Sequence, residues 1–284
     1  MVTLKLNIMK NSILKFGLVA FLSVIFVGCT QDESEDITTS DLNIEETTLT
    51  AKIDTNAEFI SDTFLQIYEY EEVATPFKSS VHPFIPDCAT ITVVVTDTTK
   101  NITVDFGTEG CEVRGRIIKG KVLMSYEIDL EARVRIINYS LEDFFVDDTQ
   151  FEGSKTITRE RMNDEGNPQY TMNVDLTVTF ADGTVASRTG TKTREWIEGV
   201  LNGNWGDNVF LITGAWATNF ANGNTHSTTI TTPIRREASC RFLVSGIVDL
   251  VRTNFSGTLD YGDGSCDNLA VFTNTDGEER EIRL

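Results

Sequence analysis

The sequence predicts an all-β protein: a long antiparallel meander curled into an extended sheet, a barrel or a sandwich, with at most one short helix near the N-terminus. Three observations carry that expectation. From Ala89 onward the chain is almost continuous β-branched or alternating sequence, as in "TITVVVT" and "NITVDFG". Asp182-Gly183, Asn222-Gly223 and Asp276-Gly277 punctuate it with dipeptides that favour tight hairpin turns. No helical crossover pattern separates one run from the next, so each strand is expected to meet its sequence neighbour.

The chain begins with Lys5, Lys10 and Lys15, no acid, and the apolar run "FGLVAFLSVIFVGC". Residues 1–28 therefore read as an export signal. The densest apolar stretch, Phe16 to Val27, is shorter than the ~20 residues a membrane-spanning helix needs. Val27-Gly28-Cys29 resembles the lipobox of bacterial lipoproteins, with Phe26 where leucine is usual. That resemblance implies cleavage before Cys29, lipid on its thiol and a firm membrane anchor. Residues 29–52 read as an acidic, flexible tether whose like charges repel. Its cluster Asp32, Glu33, Glu35 and Asp36 resembles the signal that sends Bacteroidetes lipoproteins to the cell surface. The periplasmic face of the outer membrane is the alternative location.

Residues 53–284 read as a single all-β domain. In "DTNAEFISDTFLQIYEY", Ile60, Phe64, Ile67 and Tyr68 fall on one helical stripe behind Asp54 or Thr55 as a cap. Its aromatics also suit the opening of a strand. A proline-rich loop leads to Cys88, and at least ten strands follow. Their Thr- and Arg/Glu-rich faces read as the solvated side of a wide sheet. The lipid-facing alternation and aromatic girdles of a transmembrane barrel are missing from the sequence.

Beyond Cys29, four cysteines remain: Cys88, Cys111, Cys240 and Cys266. An even number in an exported chain points to disulfides. Of the three possible pairings, the local one, Cys88–Cys111 with Cys240–Cys266, closes two loops of similar length. The phrases "VDFGTEGCEV" and "LDYGDGSCDNLAV" share a form, Asp-aromatic-Gly and then Cys, which suggests an internal duplication around 88–111 and 240–266. In the second phrase Asp260, Asp263 and Asp267 offer oxygen ligands for calcium, although their order does not match an EF-hand loop. A glycine-built turn tied down by Cys266 accounts for the same residues.

No nucleophile elbow, phosphate loop or zinc motif occurs, and His82 and His226 read as surface residues. No catalytic residue or cofactor is assigned, and the protein is not expected to be an enzyme. The leader holds three of the 24 basic residues and none of the 43 acids, so the exported chain carries about −22. Such a surface repels nucleic acid. In "REWIEGVLNGNWGDN", Trp205 between Asn204 and Asp207 offers an aromatic platform for a glycan if the loop exposes it. The competing reading keeps Trp196 and Trp216 in the core and uses Trp205 to cap an edge.

The phrases "DCATITVVV", "ITVDFGTEGCEVRGRIIKGKV", "DGTVASRTGTKTREW", "FLITGAWATNFANG" and "TTPIRREASCRFLVSGIVDL", in that order, resemble an uncharacterised family of predicted lipoproteins in Bacteroidetes and Flavobacteria. The resemblance covers roughly residues 85–275 and implies lipoprotein status and a β fold, with no catalytic residue to carry over. The expected function is a lipid-anchored envelope protein with a structural or protein-interaction role. A carbohydrate-binding accessory protein on the outer membrane surface is the alternative.

Overall fold

The computed structural model describes residues 39–73, 85–129, 131–252 and 255–284, with the side chains of the first helix from Ile44 onward. The export signal, Cys29, the acidic cluster behind it and His82 lie outside the described residues.

Among the described residues one α-helix, α1 (Thr39–Val73), precedes fourteen strands. These are β1 (Thr90–Val95), β2 (Thr99–Asp105), β3 (Cys111–Val113), β4 (Arg116–Glu127), β5 (Val134–Val146), β6 (Thr149–Glu160) and β7 (Gln169–Thr179). Then come β8 (Val185–Glu198), β9 (Val209–Phe220), β10 (Thr225–Glu237), β11 (Ser245–Arg252), β12 (Phe255–Asp263), β13 (Leu269–Asn274) and β14 (Glu279–Arg283). They build one antiparallel meander sheet in which order in space follows order in sequence; only the short β3 steps aside to pair with β4. The sheet begins at β1 and ends at β14 without closing, so the extended-sheet form holds and the barrel and sandwich do not.

Local chemistry explains the meander. At the β7–β8 turn the Asp182 carboxylate accepts a hydrogen bond from Thr184 N at 2.8 Å, and Gly183 takes φ +86°, where a side chain would strain. The strands alternate between buried and exposed positions, as in β7, whose Tyr170, Met172, Val174, Leu176 and Val178 all face inward. Gly190 stands opposite Trp216 on the next strand, and a Cβ there would lie 2.5 Å from the Trp216 Cβ. That glycine makes room for the indole on the inner face.

The helix corrects the sequence reading twice. It begins at Thr39, inside the segment expected to be a tether, and its 35 residues reach about 52 Å at the usual rise. It is also neither short nor buried along one stripe alone: every residue from Ile53 to Glu69 is buried, polar and apolar alike. The sheet curls around it. Phe64 packs edge-on against Tyr139 of β5, with ring centres 4.8 Å apart, and Ser61 reaches the Met172 sulfur on β7. Asn56 and Thr63 bond Arg116 and Arg114 beside the β3–β4 turn. A larger apolar cluster joins α1 to β2–β9, and a smaller one joins Ala51 to residues of β9–β14.

Candidate functional site: an ion-paired helix inside the sheet

The acids of α1 follow helical spacing. Asp54, Glu58 and Asp62 are four residues apart and share one stripe, which Glu46, Glu69 and Glu72 extend toward the ends. Strands place bases opposite them at a period of two: on β8, Arg188, Lys192 and Arg194 all point inward. Asp54 is held by Arg188 and accepts a hydrogen bond from the Tyr261 hydroxyl at 2.7 Å. Lys192 donates to Glu58 at 3.0 Å, and Arg194 joins Glu58 to Asp62. Arg236 of β10 donates to Asp62 through Nε and Nη2 at 2.9 and 2.7 Å. Toward the C-terminal end of α1, Arg159 of β6 grips Glu69 in a two-pronged pair at 2.8 and 3.1 Å, and Arg135 of β5 holds Glu72.

These contacts set the charge states. Burial by itself raises the Asp62 carboxyl, but Arg236, Arg194 and Arg114 outweigh it and hold the group down at about 2. Glu58 behaves the same way, with Lys192 and Arg194 overcoming burial. Lys155 of β6 goes the other way: burial outweighs the pull of Glu58 and lowers its ammonium to about 8. Its ammonium lies 5.8 Å from the centre of the Tyr139 ring, and no carboxylate among the described residues forms an ion pair with it. A lysine so lowered suits nucleophilic chemistry, but α1 covers this one.

At the N-terminal end of the stripe, Glu46 gathers Asn222, Asn224, His226 and Arg252, with contacts from 2.6 to 3.0 Å. His226 is buried, which corrects its reading as a surface residue. Burial lowers its imidazole against the upward pull of Glu46. Glu46 and Thr50 bracket the ring through its two nitrogens.

The remaining expected sites fall elsewhere. Cys88–Cys111 and Cys240–Cys266 are paired as the local reading expected, with Cα separations of 5.7 and 5.6 Å. One bracket encloses β1 and β2, the other β11 and β12. The two tied corners approach each other: Arg241, beside Cys240, donates to the Gly115 carbonyl at 3.1 Å, two residues from the end of β3. Arg236 also donates to the carbonyls of Cys240 and Phe242, linking that corner to Asp62.

Trp205 is not an exposed platform. It is 9 % exposed and packs against Trp196 and Phe210, with ring centres 5.9 and 6.0 Å away, because an indole in a short 3-10 turn (Trp205–Asp207) finds apolar cover beneath it. Asn204 and Asp207 hold that turn, the Asn204 amide donating to the Asp207 carboxylate at 3.3 Å. Asp260, Asp263 and Asp267 likewise each accept a backbone N–H two residues on, at 2.9, 3.1 and 3.0 Å. The turn reading thus accounts for them one by one. Among the described residues no group of three or more His, Cys, Asp or Glu side chains converges as metal ligands would. A surface groove of about 890 Å³ lies beside β4 and β5, lined by Asp105, Lys121, Glu142, Asp143 and Asp148 among others. Lys121 pairs there with Asp105 at 3.6 Å.

No family model, curated protein or solved structure matches this chain. The ion-paired stripe is the feature that sequence reasoning missed. Its signal was present as two patterns: acids every four residues in α1, and bases at even-numbered positions, Arg188, Lys192 and Arg194, on one face of "SRTGTKTREW".

Proposed function

We propose that this chain is a lipid-anchored protein of the outer membrane, facing the cell surface, with a structural or protein-interaction role. The observation that supports this best is the interior. Groups equipped for proton transfer, Glu58, Asp62 and His226, are turned inward and matched to partners that hold α1 against the sheet. The anchor rests on the lipobox-like Val27-Gly28-Cys29. The carbohydrate-binding alternative loses its platform with Trp205 buried.

The test is labelling of cells with an alkyne fatty acid, followed by protease treatment of intact cells. Label is expected on the wild-type chain and not on Cys29→Ser, and the protease is expected to reach the wild-type protein from outside. An unlabelled wild-type chain would remove the anchor. Digestion that needs a breached outer membrane would remove the surface location.

A further inference from the structure

The two ends of the sheet are built differently. β14, at one end, reads "EREIR", and charges of that kind keep a free strand edge from pairing with another chain. β1, at the other end, reads "TITVVV": six residues, all β-branched, with no charge, glycine or proline. Among the described residues only β2 pairs with it, so alternate backbone N–H and C=O groups of β1 point away from the sheet without a strand to meet them. Its side chains are also uncovered. Ile91 packs against the large apolar cluster, but on the same face Val93 and Val95 emerge to 37 % and 62 % exposure, and on the other face Val94 is 53 % exposed. The disulfide Cys88–Cys111 fixes the chain two residues before this edge.

We propose that β1 is the contact strand of a homodimer, two copies adding edge to edge and antiparallel through Thr90–Val95. Charge leaves this edge open to a second copy. The protein is strongly acidic, with a formal net charge of −19, so two copies can approach closely only where acids are missing. β1 is a terminal strand that meets this condition. A two-fold axis through Val93 sets Val93 against Val93 and Ile91 against Val95 of the second copy. The exposed inner-face valines are then covered by their own kind. In that register Asp97 falls opposite Ala89, and no two acids face each other across the strands. Pairing of β1 with β14 of another copy sets Glu279, Arg280 and Glu281 along the valines and is disfavoured. Six paired residues make a small interface, at the low end of the size of specific contacts. Anchoring of both copies in one membrane raises their effective concentration, although the strand edge itself does not depend on the lipid.

The test uses the full-length chain purified in mild detergent. Sedimentation across a concentration series is expected to show a monomer–dimer equilibrium. Val93→Lys, which sets two ammonium groups face to face, is expected to raise the dissociation constant at least tenfold. Val95→Lys, at a more exposed position, does the same should Val93→Lys disturb folding, and circular dichroism checks both. Glu281→Lys on β14 leaves the equilibrium unchanged. Val93→Cys is expected to give a band of twice the mass on non-reducing gels. A chain that stays monomeric throughout, or a dimer that survives both lysine variants in a folded protein, overturns the proposal.

Discussion

Asp62 and Lys155 are both buried charges at the junction of α1 and the sheet, and their surroundings are opposite. Asp62 meets Arg194 and Arg236 directly, with Arg114 at 3.6 Å. Lys155 meets the face of a tyrosine and, among the described residues, forms no ion pair with a carboxylate. The carboxyl is accordingly held at about 2, while the ammonium falls to about 8. The interior thus tolerates charge where donors converge, and bears a cost where a cation is left with an aromatic ring.

That contrast can be broken by mutation. The largest effect is expected from Asp62→Ala, which leaves Arg194 and Arg236 without their shared carboxylate and costs about 3–5 kcal/mol in chemical unfolding. Replacing Arg236 as well, with Met, should cost less than the sum of the two single changes, which a double-mutant cycle reads directly. The opposite sign is expected at Lys155. Lys155→Met should stabilise the protein by about 1–3 kcal/mol at pH 7, because it removes a poorly matched buried cation.

The pH dependence sharpens the same comparison. The folded-state value of Asp62, about 2, lies below its ordinary 3.8. Its contribution of about 2 kcal/mol is therefore fully present above pH 3.8 and is lost as pH falls through about 2. For Lys155 the folded value, about 8, lies below its ordinary 10.5, so the unfolded chain holds the extra proton between them. Stability attributable to Lys155 rises with pH across that window, and the difference between wild type and Lys155→Met should shrink from pH 8 to 10. A pH-independent difference would show that Lys155 acts through packing alone. The smallest effect is expected from Glu46→Gln, about 1 kcal/mol, since the amide still accepts from Asn222 and Asn224. Losing the negative charge should also move the His226 titration, followed by NMR, to lower pH.

Much of the sheet was legible in the sequence because strand and turn signals are local. Asp182-Gly183, Asn222-Gly223 and Asp276-Gly277 all turn where they were expected to, with φ of +86°, +89° and +83° at the glycines. The brackets around hairpins favoured the local cysteine pairing among three, and the structure has that one. The helix was half legible. Ile60, Phe64 and Ile67 marked it, but Thr39 to Lys52 read as a solvated tether because those residues are mostly polar. Trp205 was misread for a related reason, since an Asn- and Gly-rich loop looks exposed until Trp196 and Phe210 are seen beneath it.

The sequence alone determined an antiparallel meander, its turns and a strongly acidic net charge, because propensity, turn chemistry and net charge act over a few residues or over the whole chain. Only the tertiary structure decided that the sheet stays open, that α1 fills it and that Arg188, Lys192 and Arg194 point inward. The physical reason is desolvation. A charged residue faces water unless an opposite charge waits inside, and here that partner lies more than a hundred residues away in the chain, as Asp54 does from Arg188.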